Sequence, residues 1–231
     1  MEILLAIGVL LVGYLLGSVP WGMIIVKFRT GLDVRNFESG RTGGTNVGRV
    51  AGFWAGVLTA VMDALKGALA VWLAIWLVPG LPAVHALAGV AAILGHNYSI
   101  FLVEKTAKGI KLHGGAGGAT TVGAASGLWW PAIFIIVPAG AVVVLVIGYA
   151  SLATLTVGVV SILIFAVRAV LGYGPWQYVL FGILATLILI WALRPNIKRL
   201  MNGTERLVGI RARRKKPAPV NEQNNRPAAQ N

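Results

Sequence analysis

Five stretches run apolar long enough to cross a hydrocarbon layer of about 30 Å, which takes roughly 20 helical residues. They are 3–26, 53–78, 82–103, 152–171 and 176–193. The first begins with Glu2 instead of a basic run, and no small-x-small site follows it, so it is expected to persist as a helix rather than be cleaved. Residues 119–148 are equally apolar but carry Pro131 and Pro138, which break or kink helices. One long helix and two short ones both fit that segment.

Composition agrees with this pattern: 57% hydrophobic, 12% charged and a mean hydropathy of +0.80 describe a chain solvated mostly by lipid. There is no cysteine, which excludes disulfides, thiolate metal sites and a cysteine nucleophile. The net charge of +13 is concentrated between the spans and in the tail, the signature of membrane topology, so nucleic acid is not an expected partner.

The charge also orients the chain. Residues 27–52 carry Lys27, Arg29, Arg35, Arg41 and Arg49, residues 104–118 carry Lys105, Lys108 and Lys111, and ten more Lys or Arg follow from 194. The connections at 79–81 and 172–175 have none, so the basic stretches belong on the cytoplasmic side, the N-terminus outside and the C-terminus inside. An odd number of crossings follows, and residues 119–148 make none or two: five or seven in all. Arg168, near an external helix end, is an exception to the charge rule. Residues 1–210 read as one all-α, multi-pass membrane domain. Residues 211–231, basic and then rich in Pro, Asn, Gln and Ala, read as a disordered tail that touches anionic headgroups.

The candidate chemistry lies in the loops. Ser39-Gly40-Arg41-Thr42-Gly43-Gly44-Thr45-Asn46-Val47-Gly48-Arg49 combines glycines, whose N–H groups can converge on an anion, with hydroxyl donors and planar guanidinium forks suited to phosphate. A plain juxtamembrane loop is the competing reading. His113-Gly114-Gly115-Ala116-Gly117-Gly118-Ala119-Thr120-Thr121 leads into an apolar helix, where unpaired N–H groups and the helix dipole favour an anion. It has neither the Gly-Lys-Ser/Thr of a P-loop nor the third glycine of a dinucleotide loop. Asp63 and Lys66 share one helix face, and His96 lies inside an apolar span; structural pairing and substrate contact are both open for these three. Gly13-xxx-Gly17 and Gly52-xxx-Gly56 read as close helix packing.

Together these segments resemble the bacterial glycerol-3-phosphate acyltransferases that use acyl phosphate as donor. The resemblance runs through Gly17-Ser18-Val19-Pro20-x-Gly22 with Lys27, Asp33-Val34-Arg35 and Ser39-Gly40…Gly43-x-Thr45-Asn46…Arg49. It continues through Asp63-x-x-Lys66-Gly67, Gly95-His96 to Phe101-Leu102, Gly114-Gly115-x-Gly117-x-Ala119-Thr120 and Tyr149-x-Ser151-Leu152. It ends at Arg194-x-Asn196-Ile197-x-Arg199-Leu200…Gly203-Thr204-Glu205. It implies seven transmembrane helices with the N-terminus outside, a bacterial cell (inner) membrane location and a cytoplasmic active site. The implied reaction is acyl transfer from acyl phosphate to the 1-hydroxyl of glycerol 3-phosphate, giving lysophosphatidic acid, the first step of phospholipid biosynthesis. No metal or other cofactor is implied, and the partners are the two substrates and membrane lipids.

By residue match, Ser39, Asn46, Arg49 and Asn196 are the expected catalytic residues. Arg41, Gly43, Gly44, Thr45, Lys111, Gly114, Gly115, Gly117, Thr120, Arg199 and Glu205 form the expected phosphate site, with Asp63, Lys66 and His96 in support. The chain departs from the family pattern in having Arg41 for Asn, Ala116 for Lys, Leu193 for His, and a stretch inserted over 104–113. Arg41 is the leading replacement for the lost lysine charge and Lys111 the second. His85, His96 and His113 have no Asp or Glu four or five residues later, which argues against acyltransferases of the His-x4-Asp type. A non-catalytic lipid-phosphate binding paralogue and a transporter of a phosphorylated anion are the competing functions; the transporter requires access from both faces, whereas every polar motif here lies on one.

Overall fold

The computed structural model describes residues 2–107 and 109–214, most of them helical. The long helices are α1 (Glu2–Ser18) with α2 (Trp21–Thr30), α4 (Phe53–Leu77), α5 (Pro82–Asn97), α8 (Ala150–Val170) and α9 (Gln177–Met201). Five of the resulting segments are long and apolar enough to cross a membrane. The first span is not one helix: it breaks at Val19–Pro20, because proline has no N–H to continue the ladder, and α2 carries the chain on to Thr30. α9 outruns its apolar window by eight residues, taking in Arg194 to Met201. Pro195 deprives the Trp191 carbonyl of its helical donor, and Arg194 Nε supplies one at 3.1 Å.

Residues 119–148 form two short helices, α6 (Gly118–Leu128) and α7 (Ile133–Val146). The break falls at Trp129–Ala132 around Pro131; Pro138 sits inside α7. At 1.5 Å per residue α6 is about 16 Å long, half a bilayer, and such a piece is tolerated where protein surrounds it. Most of α6 is buried, against α4 above all.

Small residues set these helix distances. A Cβ at Gly17 would overlap the Ala92 carbonyl, one at Gly67 the Thr120 carbonyl, and one at Gly123 the Ala64 carbonyl, so α1 lies on α5 and α4 on α6 backbone to backbone. Gly13 and Gly56 also meet neighbouring backbone, as expected. Gly52 does not: nothing lies within 4 Å of it, and its φ of +93° makes it the hinge between α3 (Gly44–Ala51) and α4. The central core gathers Val71, Ile93, Ala124, Phe165 and Phe181, with Phe165 edge-on to Phe181 at 6.1 Å. Large apolar side chains such as Leu11, Trp72, Val167 and Leu187 point outward, where a bilayer would meet them.

Two features differ from the sequence reading. The inserted stretch is an antiparallel hairpin, β1 (Val103–Thr106) with β2 (Gly109–Leu112), in register Val103 to Leu112. Residues 211–214, read as the start of a disordered tail, belong to a short helix, α10 (Gly209–Arg214). It is docked because Val208 N–H donates to the Gly148 carbonyl at 2.8 Å and Arg211 reaches the Ile147 carbonyl at 3.3 Å. The remainder of that tail lies outside the described residues. Arg168, the exception to the charge rule, stacks over the Trp129 ring at 4.2 Å, a cation–π contact that holds it at the α8 terminus.

Candidate active site

The first glycine loop, 31–43, is shaped by its own polar side chains. Asp33 accepts from Arg35 Nε at 3.1 Å and Nη2 at 2.7 Å, and caps the turn at Arg35 N–H. The hydrogen bonds from Arg35 hold the Asp33 carboxyl below its ordinary range. Asn46, buried in α3, donates its amide nitrogen to three carbonyls, Val34, Phe37 and Arg41, at 3.3, 3.2 and 2.8 Å. The geometry therefore gives Asn46, expected as a catalytic residue, the role of loop clamp.

This loop meets the second one. Thr42 N–H donates to the Gly114 carbonyl at 3.2 Å, and Gly115 N–H to the His96 carbonyl at 2.9 Å. Glycine is required at 114 and 115: a Cβ at 114 would overlap the His96 carbonyl, and one at 115 the His96 ring. The hairpin continues into this loop through Ser99 N–H to the His113 carbonyl and His113 N–H to the Leu102 carbonyl.

Between the two loops, the hairpin and the end of α9 lies a cavity of about 850 Å³. Arg35, Arg41, Lys111, Arg194 and Lys198 line it together with Ser39, Asn97 and His113, while Tyr98, Leu112, Trp191, Ala192 and Pro195 form an apolar wall. Among the described lining residues there is no carboxylate, so the field inside is positive and concentrates anions. Arg41 is the most deeply buried of these cations. One of its Nη atoms donates to the Ala192 carbonyl, and the other is buried without a protein partner. Burial, and then the nearby charge of Arg199, depress its pKa from the ordinary value.

The structure thus brings Ser39, Arg41, Lys111, Gly114 and Gly115 to one cavity. Gly43, Gly44, Thr45 and Arg49 stand outside its lining, with Thr45 and Arg49 exposed on α3, and Gly44 against the Gly56 backbone. Gly117, at φ +94°, turns the chain into α6, and Thr120 is buried in that helix's first turn. Asn196, Arg199 and Glu205 form a support: Glu205 accepts from Asn196 Nδ2 at 2.8 Å, Arg199 Nε at 3.0 Å and Ser151 Oγ at 3.4 Å, tying α9 to α8. Arg206 pairs with Glu38, fastening this third segment to the first loop.

Beneath the second loop runs a buried polar chain. Lys66 Nζ donates to the Val19 carbonyl at 2.8 Å, exposed by the Pro20 break, and lies 2.9 Å from Asp63 Oδ1, which is 3.5 Å from His96 Nδ1. Neither Asp63 oxygen has a well-aligned donor, so the cluster is held by charge proximity. Two histidine–carboxylate pairs therefore exist in space, His96 with Asp63 and His113 with Glu104, where the sequence spacing showed none. Among the described residues no three His, Asp or Glu side chains converge as a metal site requires. Polar and aromatic lining residues outside the expected site are Arg35, Asn97, Tyr98, His113, Trp191, Arg194 and Lys198. Arg35, His113 and Arg194 are named positions of motifs already noted; Asn97 and Tyr98 lie within the Gly95-His96 to Phe101-Leu102 stretch without being named positions of it.

The profile of the family described as glycerol-3-phosphate acyltransferase matches residues 7–203. The chain is 38% identical over 203 residues to glycerol-3-phosphate acyltransferase 2 of Moorella thermoacetica, covering 88% of this chain and 97% of the relative. It is 37% identical over 205 residues to the glycerol-3-phosphate acyltransferase of Myxococcus xanthus, covering 85% and 96%. Its structure is similar to crystal structures of PlsY, an integral membrane glycerol 3-phosphate acyltransferase. The glycerol 3-phosphate form gives a TM-score of 0.77 at 31% identity, covering 91% of this chain and 99% of that one; the lysophosphatidic acid form gives 0.74 at 30%, covering 88% and 95%. A multi-pass helical bundle with two glycine loops around a cationic cavity, matched along nearly its whole length, places this chain in the glycerol-3-phosphate acyltransferase family.

Proposed function

We propose that the chain transfers a fatty acyl group from acyl phosphate to the 1-hydroxyl of glycerol 3-phosphate, releasing lysophosphatidic acid and phosphate. The observation that carries this reading is the cavity itself: its five cationic side chains suit two phosphate groups, and the apolar wall of Tyr98, Leu112 and Trp191 suits an acyl chain. The solved PlsY forms with glycerol 3-phosphate and lysophosphatidic acid correspond to the acceptor and product of the same reaction. Acyl phosphate is already activated, so the site has mainly to align the two anions and stabilise the developing oxyanion with fixed donors. The acceptor hydroxyl attacks the acyl carbon, the bond from that carbon to the phosphate oxygen breaks, and the hydroxyl proton passes to the departing phosphate.

The proposed topology has seven crossings, counting α6 and α7 as two short ones, with the N-terminus outside and the cavity facing the cytoplasm at the bacterial inner membrane. The charge distribution between spans supports it. Preference for acyl phosphate over acyl-CoA rests on the family resemblance, since histidine–carboxylate pairs are present in space. The deciding assay incubates purified protein with glycerol 3-phosphate and either donor. Lysophosphatidic acid formed from acyl phosphate is the expected result. Equal rates with acyl-CoA point to another acyltransferase chemistry, and no product from either donor refutes the enzyme.

A further inference from the structure

Asn97 ends α5, between His96 and the hairpin, and lines the cavity. It is 5% exposed, and neither its Oδ1 nor its Nδ2 has a protein hydrogen-bond partner. An amide buried with both ends unpaired opposes folding, and native proteins rarely keep one without a use for it. Its neighbours offer no partner. Oδ1 lies 2.9 Å from where a Cβ on Gly117 would stand, and the same point is 3.1 Å from Ile93 Cγ2 and from Leu189 Cδ2. The side chain is thus aimed at the residue that opens α6, an 11-residue helix whose first-turn N–H groups have no intrahelical acceptor. Thr120, in that same turn, is 0% exposed with its hydroxyl also unpartnered.

We propose that Asn97 is a substrate-contacting residue of this cavity, its amide turned half about χ2 so that the nitrogen takes the place of Oδ1 and donates to a phosphate oxygen held at the N-terminus of α6. The inference rests on the acyl-transfer reading for the identity of that phosphate, which belongs to glycerol 3-phosphate or to acyl phosphate; the binding chemistry is common to both. A neutral amide adds a donor without adding charge where Arg41 and Lys111 already supply it. It also gives the amide the partner that the protein itself does not supply, so that stability is given up for function.

The test uses the full-length protein in detergent and the variants Asn97→Ala and Asn97→Asp. Thermal unfolding is followed with no ligand, with inorganic phosphate and with glycerol 3-phosphate, alongside the KM for each substrate. The unmodified protein is expected to be stabilised by both phosphate ligands. Asn97→Ala should unfold at the same temperature or higher without ligand, lose most of that stabilisation, and raise one KM about 10- to 100-fold. Asn97→Asp, nearly isosteric, should lose more, because a carboxylate repels phosphate. A KM rise confined to glycerol 3-phosphate assigns the contact to the acceptor; one confined to acyl phosphate assigns it to the donor.

A purely structural asparagine gives the opposite pattern, a lower unfolding temperature without ligand and unchanged KM values, and that result overturns the proposal. So does an unmodified protein that no phosphate ligand stabilises. Stabilisation by phosphate that depends on Asn97, in a protein with no acyl transfer, upholds the contact and refutes the enzymatic reading instead.

Discussion

Removing the Arg41 side chain is the sharpest available test of the cavity. The side chain spans from the first loop to α9, with one Nη on the Ala192 carbonyl and the other buried and free for a ligand. A hydrogen bond to a charged group contributes about 1.5–3 kcal/mol, and the free nitrogen supplies at least one to a phosphate. Arg41→Ala should therefore cut kcat/KM by about 100-fold, roughly 3 kcal/mol, with some of the loss arising from the untethered loop. Arg41→Lys keeps the charge and loses the fork that reaches the Ala192 carbonyl and the ligand together, so it should fall in between. Ala116→Lys in the Arg41→Ala background should restore part of the activity, by placing a cation in the second glycine loop. Arg29→Ala, at the exposed end of α2 and outside the cavity, is the matched control and should be near neutral. Steady-state acyl transfer with purified variants measures all of these. Full activity in Arg41→Ala would refute the assignment and pass the role to Lys111, the other cation named for it and also a cavity residue.

Gly115→Ala places a methyl against the His96 ring and should cost about 1–3 kcal/mol, read as a lower unfolding temperature together with reduced activity; a silent substitution would show that the second loop is not fixed by His96. Glu205→Gln turns a donor toward Arg199 and weakens the tie between α8 and α9. The cost should be about 1–2 kcal/mol, since Arg199 is partly exposed and water screens the pair, and an unchanged denaturation midpoint would argue against the tie. Single cysteines are clean reporters in a chain that has none: positions 39, 105 and 201 should label from the cytoplasmic side and 173 from the other. Labelling of 39 and 105 from opposite faces would separate the two loops that the cavity joins.

The long spans were legible in the sequence because crossing a bilayer depends on a sum over consecutive residues, and α4 and α8 each end one residue short of their apolar windows. The two glycine loops were legible for a related reason: glycine, hydroxyl and arginine side chains announce an anion site wherever they cluster. Long-range pairing was not. Asp63 and His96 stand 33 positions apart and meet because α4 and α5 pack directly against each other. Asn46 looked like chemistry from its motif, and its hydrogen bonds make it a clamp. The 103–112 hairpin escaped notice because eight exposed residues have no buried face to impose an alternating pattern. Local composition by itself determined a membrane-spanning helical chain with an anion-binding face, because hydropathy, charge and glycine content act residue by residue. Which of those residues line the cavity, which hold its walls, and that Asn97 stands unpaired within it were decided by tertiary structure alone, because each depends on where distant segments come to rest against one another.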